Sequence, residues 1–220
     1  MTPSFSGQLI NVLAALLLLI AFAMLAQRRV LSLVYLFAWQ GLVLSVSTTV
    51  VAWGTGQHHL YYSAALTAVL KVFALPWILH RLIIRLNVKW DRETLINIPT
   101  TMMMGIVVVI FSLNLALPIS EQASTVTRNT LGVAIACVLL SFLMVITRRK
   151  AIPQVVGFLA MENGLFFAAT SATYGMPMVV ELGIALDVLV GTLIFGIFFF
   201  HIRETFDSLD TRHLERLKER

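Results

Sequence analysis

Seven long apolar stretches, divided by short polar turns, run along the chain at residues 7–26, 31–53, 61–84, 100–118, 129–147, 152–173 and 177–202. Each is near the length of about 20 residues that an α-helix needs to cross a hydrocarbon layer about 30 Å thick. The pattern therefore predicts an all-α integral membrane protein with about seven spans. The fourth stretch is short and is bounded by Pro99 and Pro118. Residues 205–220 break the pattern: they are charged, with Phe206, Leu209, His213 and Leu217 at helical spacing. That spacing predicts a short amphipathic helix, read either as a solvated tail or as a docking segment for a soluble partner.

The few polar residues inside the apolar stretches carry most of the chemical information. Met161-Glu162-Asn163-Gly164 interrupts the sixth stretch, and the seventh contains Glu181 and Asp187. The third contains Lys71, and the second contains Gln40. An ionisable residue inside hydrocarbon costs about 2.5–3.5 kcal/mol on insertion scales, so it marks a functional position by default. Counting 1.5 Å per residue puts Lys71 and Asp187 about 15 Å from the outer ends of their helices. The same count puts Glu162 about 15 Å and Gln40 about 14 Å from the inner ends of theirs. All four fall near the midplane, which suggests a horizontal polar track through the bundle. Two readings are open: a line that passes charge or protons, or a static bridge between Lys71 and an acid that locks the helices together. Glu181, near the outer end of its helix, is a lesser candidate. Gly183, Asp187 and Gly191 fall at i, i+4 and i+8, a stripe of small residues that lets a neighbouring helix approach. Pro76, five residues after Lys71, is expected to kink the third helix or open its hydrogen-bond ladder.

Composition agrees with the pattern. Of 220 residues, 59% are hydrophobic and 12% charged, against about 45–50% and 25% in a soluble domain. The net charge of +5 would suit a nucleic-acid partner until the charges are placed. Seven spans put fourteen of the sixteen lysines and arginines on one side: Arg28, Arg29, Arg81, Arg85, Lys89, Arg92, Arg148, Arg149, Lys150, Arg203, Arg212, Arg216, Lys218 and Arg220. The opposite side receives Arg128. By the positive-inside rule the N-terminus is outside and the C-terminus cytoplasmic. The charges therefore set orientation in a bilayer, and no nucleic-acid role is inferred. The first stretch leads straight into Gln27-Arg28-Arg29, which reads as a retained helix and not a cleaved signal.

The halves of the chain echo one another. Arg28-Arg29 after the first stretch matches Arg148-Arg149 after the fifth, and Leu66 to Val72 parallels Leu182 to Val188, with Lys71 at the position of Asp187. Two parallel three-helix units joined by the fourth helix fit this arrangement. The expected organisation is 1–99, 100–128 as connector, 129–204, and the tail at 205–220. The single cysteine, Cys137, excludes a disulfide within the chain, a zinc site or an internally ligated iron–sulfur cluster. No nucleophile–base arrangement, phosphate-binding loop or GxGxxG is present, so the chain is not expected to be an enzyme by itself.

Arg148-Arg149-Lys150, Gly157, Met161-Glu162-Asn163-Gly164, Glu181-Leu182-Gly183-Ile184-Ala185 and Asp187 closely resemble the second half of the hydrogenase-4 component E family. The likeness reaches the first half through Gln40-Gly41-Leu42-Val43-Leu44, Lys71-Val72 and Pro76, and the tail through Leu209-Asp210 and Leu214. It is weakest over 99–129. The second half also looks like the small K-type subunit of respiratory complex I. By that likeness Asp187 takes the place of a third-helix glutamate, while the second-helix glutamate falls at Leu159, one turn before Glu162. The resemblance implies a non-catalytic membrane-arm subunit of a group 4 [NiFe]-hydrogenase or formate hydrogenlyase, in a bacterial or archaeal cytoplasmic membrane. Antiporter-like subunits and a cytoplasmic hydrophilic redox module would be its partners, and those partners would hold the nickel and iron–sulfur centres. Lys71, Glu162, Asp187, Gln40 and Glu181 would couple redox chemistry to proton or sodium movement. The alternatives are a subunit of a cation/proton antiporter and an inert scaffold. A retinal-type receptor fits poorly because the buried lysine is on the third helix.

Overall fold

The computed structural model describes residues 5–85, 96–119 and 125–173, together with Gly183, Leu189 and Gly191. Among these residues the secondary structure is helical throughout, with no strand. The helices are α1 (Phe5–Ala26), α2 (Val30–Thr55), α3 (residues 59–85), α4 (Ile98–Ile119), α5 (Thr125–Thr147) and α6 (Ala151–Thr173). All six contain segments long and apolar enough to cross a membrane. Their boundaries depart from the apolar stretches by a few residues. Helix α4 runs through both of its bounding prolines, since Pro99 sits in the first turn, where a missing N–H leaves no hydrogen bond unmade. Helix α5 starts at Thr125, before the expected residue 129, because its polar first turn lies outside the apolar run. The expected seventh span at 177–202 and the tail at 205–220 lie outside the described residues, apart from Gly183, Leu189 and Gly191, which are helical.

Packing and composition are inverted relative to a soluble bundle. Trp39, Trp53, Tyr62, Phe73 and Trp77 are exposed, whereas Gln40, Thr48, Thr67, Lys71, Glu162 and Asn163 are buried. Water cannot be the solvent of such an exterior, because monomeric soluble proteins rarely expose contiguous apolar patches of that extent. Helix α2 packs against α1, α3 and α6, and α5 packs against α1, α4 and α6. Glycines set the closest approaches. A Cβ at Gly164 would lie 2.9 Å from Val138 Cγ2, and one at Gly157 would lie 2.9 Å from Val145 Cγ2, so α6 rests on α5 along a row of small residues. A Cβ at Gly41 would lie 2.8 Å from Lys71 Cβ, which places α2 directly against the lysine's backbone.

Helix α3 is not α-helical throughout. It is α-helical over His59–Thr67, widens to a π-helix over Ala68–Ala74, and returns to α over Leu75–Arg85. Lys71 is at the centre of the π segment, and Pro76 is the second residue after its end. Proline cannot donate to the preceding turn, and its ring crowds the carbonyl four residues back, so the wider turn accommodates it. The opening of the ladder that Pro76 leads one to expect therefore takes this form. Helix α2 ends on Gly56 at φ 69°, whose N–H closes the turn onto the Ala52 carbonyl at 2.9 Å.

One of the basic residues expected to set the orientation is not solvated. Arg148, just after α5, is 3% exposed. Its guanidinium donates to the carbonyls of Leu25 at 3.0 Å and Gln27 at 2.6 Å, with Met24 at 3.5 Å. These oxygens belong to the end of α1, where helical carbonyls lack intrahelical partners and the dipole favours a cation. Arg148 thus ties the end of α1 to the end of α5. We expect Arg148→Met to lower stability in detergent by about 2 kcal/mol, with only partial recovery in Arg148→Lys, whose ammonium lacks the planar fork. Thermal unfolding of the purified chain would check this, and equal melting of all three forms would refute it.

Candidate functional site

Three helices bring the polar interior together. Gln40 comes from α2, Lys71 from the π segment of α3, and Glu162 and Asn163 from consecutive positions on α6. None of the four is more than 3% exposed. The Lys71 ammonium donates to Glu162 Oε2 at 2.7 Å and to Asn163 Oδ1 at 2.7 Å. Asn163 Nδ2 in turn donates to Gln40 Oε1 at 3.1 Å. The lysine, having no acceptor, fixes which end of the Asn163 amide faces it, and Asn163 then fixes the orientation of Gln40. Phe166, one turn beyond Glu162, presents its ring 5.5 Å from Lys71 Nζ, within cation–π range.

Of the residues singled out in the sequence, Gln40, Lys71 and Glu162 meet in this one cluster. Asp187 and Glu181 lie outside the described residues. Gly183 closes against α6: a Cβ there would stand 2.7 Å from Phe166 Cδ2 and 3.7 Å from Glu162 Oε1. The small-residue stripe therefore meets the site at its first member. Asn163 was not among the candidates, although it is the link between lysine and glutamine. Its signal was its place beside Glu162 in an apolar helix. A further signal emerges from the geometry: Asn163-Gly164-Leu165 repeats the amide–glycine–leucine order of Gln40-Gly41-Leu42, and the two amides are the ones that bond.

Chemically the cluster is a fully buried ion pair braced by two amides. Desolvating both partners is expensive, and their attraction offsets it only with close geometry and further hydrogen bonds. The 2.7 Å separation and the Asn163 contact supply both. Such a pair is also sensitive to a third charge, because the low local dielectric leaves any approaching ion or proton poorly screened. Among the described residues no three histidine, cysteine, aspartate or glutamate side chains converge as a metal site.

Similarity to known proteins extends over nearly the whole chain. It is 28% identical over 204 residues to the uncharacterized protein Rv0085 of Mycobacterium tuberculosis, covering 92% of this chain and 93% of that one. It is 24% identical over 213 residues to hydrogenase-4 component E of Escherichia coli K12, covering 96% of this chain and 98% of the relative. The Shigella flexneri component E gives the same figures. No family model and no solved structure matches the chain. These full-length matches support a distant hydrogenase-4 component E-like relationship.

Removing one member of the pair separates its energetic role from others. Lys71→Met leaves the Glu162 carboxylate buried without the cation beside it and is expected to cost about 3–5 kcal/mol. Lys71→Met with Glu162→Met should recover most of that loss, because two apolar side chains need no partner. Denaturation of both variants in the same detergent would check this, and a double variant no more stable than the single one would contradict it.

Proposed function

We propose that this chain is a non-catalytic membrane subunit of a hydrogenase complex of the group 4 [NiFe] or formate hydrogenlyase type, related to complex I. In this reading its buried charges couple redox chemistry to proton or sodium movement. The observation that carries the reading is the Lys71–Glu162 pair, buried at 2.7 Å in a chain with full-length similarity to hydrogenase-4 component E. Charges buried within membrane spans, paired and facing protein, are what a relay through a bilayer requires.

In this proposal Gln40, Lys71 and Glu162, with Asn163 as their bridge, form one part of a charged line. Asp187 continues it on a seventh span, in keeping with the resemblance to the complex I K-type subunit, and Glu181 lies toward the outer end. The chain consists of two parallel three-helix repeats joined by α4. The packing of α1 on α5 and of α2 on α6 supports this, as do the matched amide–glycine pairs. The N-terminus is outside and the C-terminus cytoplasmic, in a bacterial or archaeal inner membrane. Antiporter-like subunits flank the chain in the membrane, and a hydrophilic module carrying nickel and iron–sulfur centres docks on the cytoplasmic side. No cofactor is assigned to the chain itself.

A tagged chain purified from its own membranes should bring a hydrogenase large subunit with it. In vesicles, Glu162→Gln and Asp187→Asn should keep assembly and electron transfer while redox-driven ion movement falls to background. Unchanged ion movement would overturn the coupling role and favour a structural scaffold. Copurification with antiporter subunits alone, and intact sodium transport, would favour a cation/proton antiporter instead.

A further inference from the structure

A groove of about 500 Å³ lies on the surface where α2 and α3 meet. Its lining includes Val34 and Tyr35 on α2, with Val69, Phe73, Pro76 and Trp77 on α3. Val69, Phe73 and Trp77 follow one another at helical spacing, and all three are exposed. From Val69 to His80, also in the lining, the groove follows roughly 16 Å of helix axis. The small Ala74 and the ring of Pro76 leave open the volume that longer side chains would fill.

The two ends of the groove differ. One, at Val69 and Val72, is apolar and lies level with Lys71. The other ends in basic side chains. His80 lines it, and Arg81 stacks its guanidinium 4.1 Å from the centroid of Trp77, itself a groove wall. On α2 the lining begins at Leu31, shortly after the exposed Arg28. Glu162 is the one carboxylate among the described residues, and it is engaged by Lys71, so the basic end of the groove is not neutralised by a described acid. Tyr35 and Trp77 stand at the same end, as aromatic residues do at a membrane interface.

An elongated apolar groove that ends in basic side chains matches an amphiphile with an apolar tail and an anionic head. We propose that this groove binds an anionic phospholipid, an acyl chain lying along α3 from Trp77 toward Val69 and the phosphate seated at Arg81. Arg28 contributes positive potential at the same end, and His80 a ring N–H that can donate a hydrogen bond. The Trp77 stack holds Arg81 at the groove mouth, where a freely moving arginine would spread its charge over the surface. A zwitterionic lipid would fill the groove equally well but would gain less from the cations.

The test uses the full chain in whatever assembly it purifies with, delipidated in mild detergent and titrated with phosphatidylglycerol or phosphatidylcholine. Native mass spectrometry counts the bound lipids. Phosphatidylglycerol should bind about fivefold or more tightly than phosphatidylcholine, the effect of about one arginine at a membrane surface. Arg81→Ala should abolish the preference and Arg81→Lys should keep it, since the site needs the charge. Ala74→Trp should block both lipids by filling the groove. Equal binding of both lipids to the unaltered chain, or an undiminished preference in Arg81→Ala, overturns the proposal. So does a Phe73→Cys probe that crosslinks to a partner helix and not to lipid. Because Arg81 is exposed, its substitution tests the idea even where Ala74→Trp fails to fold.

Discussion

Keeping the Lys71 ammonium satisfied where no water can reach it is the constraint on which the rest of the bundle depends. The requirement acts on three helices at once. Helix α6 must present Glu162 and Asn163 side by side, α2 must bring Gln40 within reach of Asn163, and α3 must hold the lysine at their level. Gly41 lets α2 come close enough, because any side chain there would strike the lysine's own Cβ. Gly157 and Gly164 do the same for α6 against α5. Small residues and polar side chains thus serve a single purpose. Close backbone approach brings short polar groups into hydrogen-bond range in a medium that offers them nothing else.

The π segment belongs to the same arrangement. A regular α-helix through residues 68–76 would have to seat Pro76 against the carbonyl four residues earlier. The wider turn takes up that conflict and carries Lys71 at its centre. A lysine in a locally loosened helix can adjust its position more easily than one in a regular helix, as a residue that exchanges partners would need to. The same proline and the small Ala74 shape the groove on the opposite side of α3. One irregularity therefore faces both the charged interior and the lipid.

Arg148 shows how a residue can satisfy two rules at once. Its charge counts toward the one-sided distribution expected from seven spans, yet the side chain is buried and caps the end of α1. Its partner in the internal echo, Arg28, is exposed. Of these two arginines, one holds helices together and the other is left at the surface.

Much of this protein could be read from its residues in order. Runs of apolar side chains long enough to span a bilayer are a one-dimensional property, because an isolated helix satisfies its own backbone in lipid whatever its neighbours do. The six described spans, the irregularity expected at Pro76, and Gln40, Lys71 and Glu162 as candidate residues followed from that property and from the price of burying charge. What the sequence left open was a matter of rotation and contact. It could place those residues at a common depth, but depth does not say which helix faces which. Only the fold chose Glu162 as the partner of Lys71, inserted Asn163 between lysine and glutamine, and buried Arg148 under the end of α1. Those choices depend on the angle each helix presents to the next. That angle is set by where glycines allow close approach, a relation between residues 12 to 123 positions apart that no local pattern records.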